Sequence, residues 1–155
     1  MSDALLDLML DAARAASSAI MEVYLSDFTH DSKADGSPVT IADQRAEAII
    51  LKFLAPTGIP VLAEESVAAG VVPTLGERFF VVDPLDGTKE FLKRNGEFTV
   101  NIALCEAGRP SLGVVLAPAT GATFIGGPAG AFEISNRDVR EPLRTIADGP
   151  MKVVA

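Results

Sequence analysis

The chain has no tryptophan, and only one tyrosine, one cysteine and one histidine. A single cysteine cannot close an internal disulfide, so Cys105 fits a reducing compartment and a cytoplasmic location is expected. One His and one Cys cannot form the soft-ligand cluster of a structural zinc site. Any bound metal should therefore be a hard cation held by carboxylates. Positive charge is also scarce: 13 Lys and Arg face 21 Asp and Glu, for a net charge of −8. That balance repels a polyphosphate backbone, and no basic run offsets it, which argues against nucleic-acid binding. No apolar run approaches the ~18 residues of a membrane span. Residues 1–25 carry Asp3, Asp7, Asp11 and Glu22 against Arg14 alone, so the basic segment of an export signal is not expected.

What is present is globular. The 155 residues are 48% apolar and 22% charged, the size and composition of one domain. Leu5, Leu8, Met9, Ala12, Ala16, Ala19, Ile20 and Val23 recur at helical spacing and predict an amphipathic helix of about six turns. Residues 29–38 are rich in turn formers and read as a loop. A second helix is expected to open at Thr40 with Asp43 in a capping box. Its apolar face continues through Ala46, Ile49, Ile50 and Phe53, and Pro56 with Gly58 ends it.

Short β-like runs follow at 61–63, 79–82, 99–104, 113–116, 123–125 and 131–134, several of them separated by turn signals. Short connections favour antiparallel hairpins. The expected fold class is α+β, with two N-terminal helices packed on a mainly antiparallel sheet. The final residues, Met151 to Ala155, form an apolar strand-like run with no polar tail, which suggests a chain cut within a larger fold.

Acidic residues sit at the ends of these runs. Glu64 and Glu65 follow Val61-Leu62-Ala63, and Asp83 and Asp86 lie in Asp83-Pro84-Leu85-Asp86-Gly87-Thr88 after Phe79 to Val82. Carboxylates at strand ends can converge on a cation without being buried unpaired. Pro84 restricts Asp83, and Gly87 permits a tight turn, so Asp83 and Asp86 can face one side with the Leu85 carbonyl between them. A short helix beginning near Gly87 would direct the amides of Gly87 and Thr88 at an anion beside the metals. Each piece alone has an ordinary structural reading: a turn, a solvated strand end, a helix-capping Asp43. Their joint occurrence beside core elements favours a site.

The run from Asp83 to Phe91, with Ala63-Glu64-Glu65-Ser66 upstream, resembles the magnesium-dependent, lithium-sensitive phosphatases of the inositol monophosphatase superfamily. Ser32 to Thr40 and Ala42-Asp43 are similar to that family's N-terminal loop and helix. Lys89 to Leu104 is most similar to its CysQ-type 3'(2'),5'-bisphosphate nucleotidases, whereas Glu64 to Gly70 also resembles the inositol monophosphatase branch. The resemblance implies the N-terminal domain fold of those sugar phosphatases and two or more Mg2+ ions. Glu64, Asp83 and the Leu85 carbonyl would bind the first, and Asp83 with Asp86 the second. Thr88, hydrogen-bonded to Asp43, would orient the attacking water, without a covalent phosphoenzyme. Lys33, Gly87, Thr88 and the groups at Glu64, Leu85 and Asp86 would receive the substrate, a small phosphorylated nucleotide.

Cys105 is expected in the core and His30 in a loop, neither with a chemical role. Members of the family normally carry a second α/β half with a Trp-Asp-x-Ala-Ala-Gly motif. A chain without Trp is expected to be the N-terminal metal-binding half alone, active or not, with apolar faces available for self-association or for a complementary C-terminal half. The resemblance also allows peripheral contact with the inner membrane. The expected activity is removal of the 3'-phosphate from adenosine 3',5'-bisphosphate. The alternatives are an inositol monophosphatase-type phosphatase and a non-catalytic metal-binding fragment.

Overall fold

A computed structural model describes residues 2–26, 38–135 and 138–144. The expectations for Lys33, His30, most of the 29–38 loop and the run from Met151 to Ala155 lie outside the described residues.

Helix α1 spans Ser2–Tyr24. It contains neither Gly nor Pro, and it is rich in Ala, the strongest helix former. Helix α2 spans Pro38–Leu54. Thr40 is therefore the third residue of α2 rather than the residue on which it opens. The helix opens instead on Pro38, whose missing N–H costs nothing at that position. A 3-10 turn at Ala55–Thr57 and a left-handed Gly58 end it as the sequence indicated.

Fully buried alanines at 12, 13 and 16 of α1 and at 42 and 46 of α2 let the helix backbones approach closely. The buried stripe of α1 is wider than its periodicity suggested. Leu6, Leu10, Ala13 and Tyr24 are inside, while Leu5, Leu8 and Ala19 are half-buried. The cause is that α1 packs on both α2 and the sheet.

The sheet has seven strands in sequence order: β1 (Val61–Ala63), β2 (Arg78–Asp86), β3 (Thr99–Glu106), β4 (Arg109–Leu116), β5 (Thr123–Gly127), β6 (Gly130–Ile134) and β7 (Arg140–Pro142). Every neighbouring pair is antiparallel except β1 and β2, which run parallel. The α+β reading holds. The parallel pair is possible because the stretch between β1 and β2 contains a short helix, α3 (Glu64–Ala68), and room for the chain to return.

Side chains alternate across the sheet. Phe80, Val82, Val100, Ile102, Leu104, Leu112, Val114, Leu116 and Ile125 form one core with the helices. Val81, Val115 and Phe124 point the other way and are exposed. Cys105 is also on this second face and only half-buried, a correction to its expected place in the core. Its neighbours Leu104 and Ile102 hold the inward positions, so the two-residue period turns Cys105 outward.

Helix α4 (Thr88–Lys93) is locked by aromatic packing. Phe91 and Phe98 are fully buried. With Tyr24 they form a trio whose ring centroids lie 4.9–5.3 Å apart. Arg94 closes the arrangement from outside. Its guanidinium donates to the carbonyls of Tyr24 at 3.0 Å and Ser26 at 2.8 Å, and sits over the Tyr24 ring. A cation there also suits the negative end of α1. Among the described residues, no helix is long and apolar enough to cross a membrane.

Candidate functional site

The register of the parallel pair places the acidic residues. Ala63 of β1 is opposite Val82 of β2, so Glu64, the first residue after β1, comes beside Asp83, the next residue along β2. Adjacent strands lie about 4.8 Å apart, within reach of two carboxylates. On the other side of β2, Asp83 is opposite Asn101 of β3. The β2–β3 ladder then shifts register between Asp83 and Asp86. Pro84 and Leu85 occupy this bulge, where a proline without an N–H is tolerated, and both are buried. Asp86 emerges exposed beyond it and accepts a long hydrogen bond, 3.4 Å, from Asn101 Nδ2.

Gly87 then caps α4 at φ 100°. A side chain is excluded there by space as well as by backbone angle. A Cβ on Gly87 would stand 2.9 Å from the Glu97 carbonyl oxygen and 3.1 Å from Phe98 Cα. Thr88 follows as the first residue of α4 and is exposed.

Electrostatics show what this convergence costs. Asp43, on α2, is 8% exposed, and its Oδ1 has no hydrogen-bond partner among the described residues. Burial, then repulsion from Glu65, Glu64, Asp83 and Glu47, pushes its pKa up to about 8. Asp83 is pushed up to about 6 by burial and by the charges of Glu64 and Asp86. A hydrogen bond with Glu64 raises it further, and the Leu85 backbone amide partly offsets these effects. Asp83 Oδ1 is likewise buried without a partner. The Thr88–Asp43 hydrogen bond implied by the family resemblance is not among those formed by the described residues.

These groups suit a divalent cation, because two orphaned carboxylate oxygens and several mutually repelling acids need positive charge. Among the described residues, however, no three His, Cys, Asp or Glu side chains gather into a ready-made cage. Glu64 hydrogen-bonds with Asp83, and the charges of Asp86 on Asp83 and of Glu64 and Asp83 on Asp43 show these acids lie near one another.

The structure also brings in Glu47, which the sequence reading passed over. It is 5% exposed and holds the turn that carries Glu64. Its sequence signal was an acidic residue four positions after Asp43, between Ala46 and Ile50 on a buried helix face.

The Asp43 geometry carries a stability prediction. Its folded pKa lies above its unfolded value, so the penalty is absent below 3.8 and complete above about 8. Asp43→Asn should therefore stabilise the chain at pH 7 in chelator. Allowing for solvent screening, the gain should be about 1 kcal/mol, or about 2–4 °C in melting midpoint. Calorimetry would check it, and an unchanged or lower midpoint would show that the carboxylate is satisfied.

Comparison with known proteins identifies the class. Residues 2–148 match the inositol monophosphatase family, and the chain belongs to that family. The 3'(2'),5'-bisphosphate nucleotidase CysQ of Shigella flexneri is 46% identical over 165 aligned positions, covering 96% of this chain and 67% of that protein. CysQ of Escherichia coli K12 is 45% identical with the same coverage. Among solved structures, CysQ from Bacteroides thetaiotaomicron superposes with a TM-score of 0.74 at 35% identity, covering 95% of this chain and 53% of that one. An inositol monophosphatase from Zymomonas mobilis gives 0.77 at 29% identity, covering 95% and 55%. The chain thus spans about two thirds of these curated relatives and about half of these solved structures.

Proposed function

We propose that this chain provides the metal-binding part of a magnesium-dependent phosphomonoesterase that removes the 3'-phosphate of adenosine 3',5'-bisphosphate in the cytoplasm. The observation that carries the reading is the β1–β2 register, which sets Glu64 beside Asp83 at one end of the sheet. The 46% identity to a bisphosphate nucleotidase supports the choice of substrate. Glu64, Asp83 and the Leu85 carbonyl would hold one Mg2+, and Asp83 with Asp86 a second. Bound there, the cations would activate water and stabilise the leaving oxygen.

The chain's own residues do the rest. Leu85 is fixed by burial, so its carbonyl direction is set by the bulge. Gly87 lets the backbone turn into α4, whose first amides would face the phosphate. The Thr88 hydroxyl, at the end of α4 nearest Asp86, would orient the attacking water together with Asp43. Lys33 is assigned to the substrate side. On the open sheet face, Val81, Val115 and Phe124 would meet a second copy or a complementary C-terminal half. A monomer at high concentration in sedimentation would count against the second copy.

The test is phosphate release from adenosine 3',5'-bisphosphate with and without Mg2+, with Li+ as inhibitor and an inositol monophosphate as competing substrate. Magnesium-dependent, lithium-sensitive release from the nucleotide is expected. Preference for the inositol phosphate would move the protein to the sister branch, which the Glu64 to Gly70 segment also resembles. Metal binding without turnover would make the chain a metal-loading domain. Thr88→Ala should slow turnover about 100-fold with Mg2+ affinity nearly unchanged. The reverse pattern would make Thr88 a structural residue.

A further inference from the structure

We propose that Glu47 is a positioning residue that sets Glu64 for metal binding by bracketing the start of α3 from a different helix. This inference rests on the metal-binding reading of Glu64 and Asp83 given above.

Helix α3 begins at Glu64, and its N-cap residue is Ala63, which has no side chain able to cap it. The first-turn amides of α3 are satisfied from elsewhere. Glu47 Oε2 accepts the Glu65 N–H at 2.7 Å, and Glu47 Oε1 accepts the Ser66 N–H at 2.9 Å. The Ser66 hydroxyl donates to the same Oε1. Both oxygens of a carboxylate that is 5% exposed are thus engaged by two consecutive residues next to Glu64.

A capping need alone could be met locally, by Ser or Asp at position 63. The arrangement found here does something a local cap cannot. Asp43 and Glu47 lie one helical turn apart on α2 and face the same way. A bidentate grip by Glu47 on the backbone after Glu64 therefore fixes the β1–α3 junction relative to the helix that carries Asp43. The Glu64 side chain itself is exposed and hydrogen-bonds with Asp83. Besides this grip, the backbone at Glu64 is held by the three residues of β1 before it and by the five-residue helix it opens. Outer partners that orient a ligand typically change metal affinity 10–100-fold when removed.

The experiment is calorimetric titration of the full chain with Mg2+, with the metal-free melting midpoint measured in parallel. Glu47→Gln removes the charge and one acceptor, whereas Glu47→Asp keeps the charge but shortens the reach by one methylene. Both should weaken Mg2+ affinity about tenfold or more in folded protein. Ser66→Ala, which removes only the hydroxyl contact, should weaken it by less. Wild-type affinity in Glu47→Asp would reduce Glu47 to a distant charge and overturn the proposal. Lower midpoints with unchanged affinity would make it a structural cap and overturn it equally. If the Glu47 variants fail to fold, unchanged affinity in Ser66→Ala overturns it. Asp83→Asn in the same titration separates the two readings. If wild type binds no Mg2+, or Asp83→Asn binds it equally well, the metal-site reading falls and this proposal with it. Loss in Asp83→Asn alone removes only the role of Glu47.

Discussion

Asp83→Asn is expected to lower magnesium-dependent phosphate release at least about 1000-fold while leaving the fold intact. Asp83 is the residue at which every element of the site meets. It follows the last β1–β2 register pair, touches Glu64, opposes Asn101 and precedes the bulge that presents Leu85 and Asp86. The substitution keeps shape and volume and removes only charge. Since that charge is unfavourable without a cation, the metal-free variant should be at least as stable as the parent chain. The check is paired: turnover across a Mg2+ series, and a melting curve in chelator. Near-normal turnover would dismiss a scheme in which Asp83 bridges two cations.

Phe91→Ala should produce the largest loss of stability, about 3–5 kcal/mol, or a fall in melting midpoint of about 10 °C or more. Phe91 is fully buried between Tyr24 and Phe98, and the surrounding rings belong to α1 and to the chain entering β3. No single neighbour can collapse into the space without moving one of those elements. Function should suffer as well, because α4 carries Thr88 on its first residue and Phe91 on its fourth. Phe91→Leu should recover a large part of the stability, since it restores most of the apolar volume. A midpoint shift in Phe91→Ala of only a degree or two would mean that α4 is not held by this trio.

The sequence made the acidic strand ends legible, because apolar runs stop abruptly at Glu64 and at Asp83-Pro84. It also located both long helices and six of the strands to within a few residues. The parallel direction of β1 was not legible. Alternation and turn residues report that a strand exists, not which way its partner runs, and the segment from 64 to 77 hid a short helix. Strand β7 was missed because Arg140–Pro142 is fully exposed and short, with no apolar period to announce it. Glu47 was missed for the opposite reason. A buried acid looks like any solvated helix residue until its partners, two backbone amides and a hydroxyl distant in sequence, are known. Asp43 was visible as a first-turn acid of the second helix and its catalytic role only through family likeness; the structure adds the orphaned oxygen and the burial that make it costly.

Strand order that matches chain order has a temporal consequence. Each strand, as the ribosome releases it, finds the previous one already present, so the sheet can grow by addition at one edge without waiting for a distant segment. The candidate ligands all precede β3, and the parallel pair that aligns Glu64 with Asp83 is the first to be synthesised. The residues proposed as metal ligands are therefore all synthesised before β4 to β7 are translated.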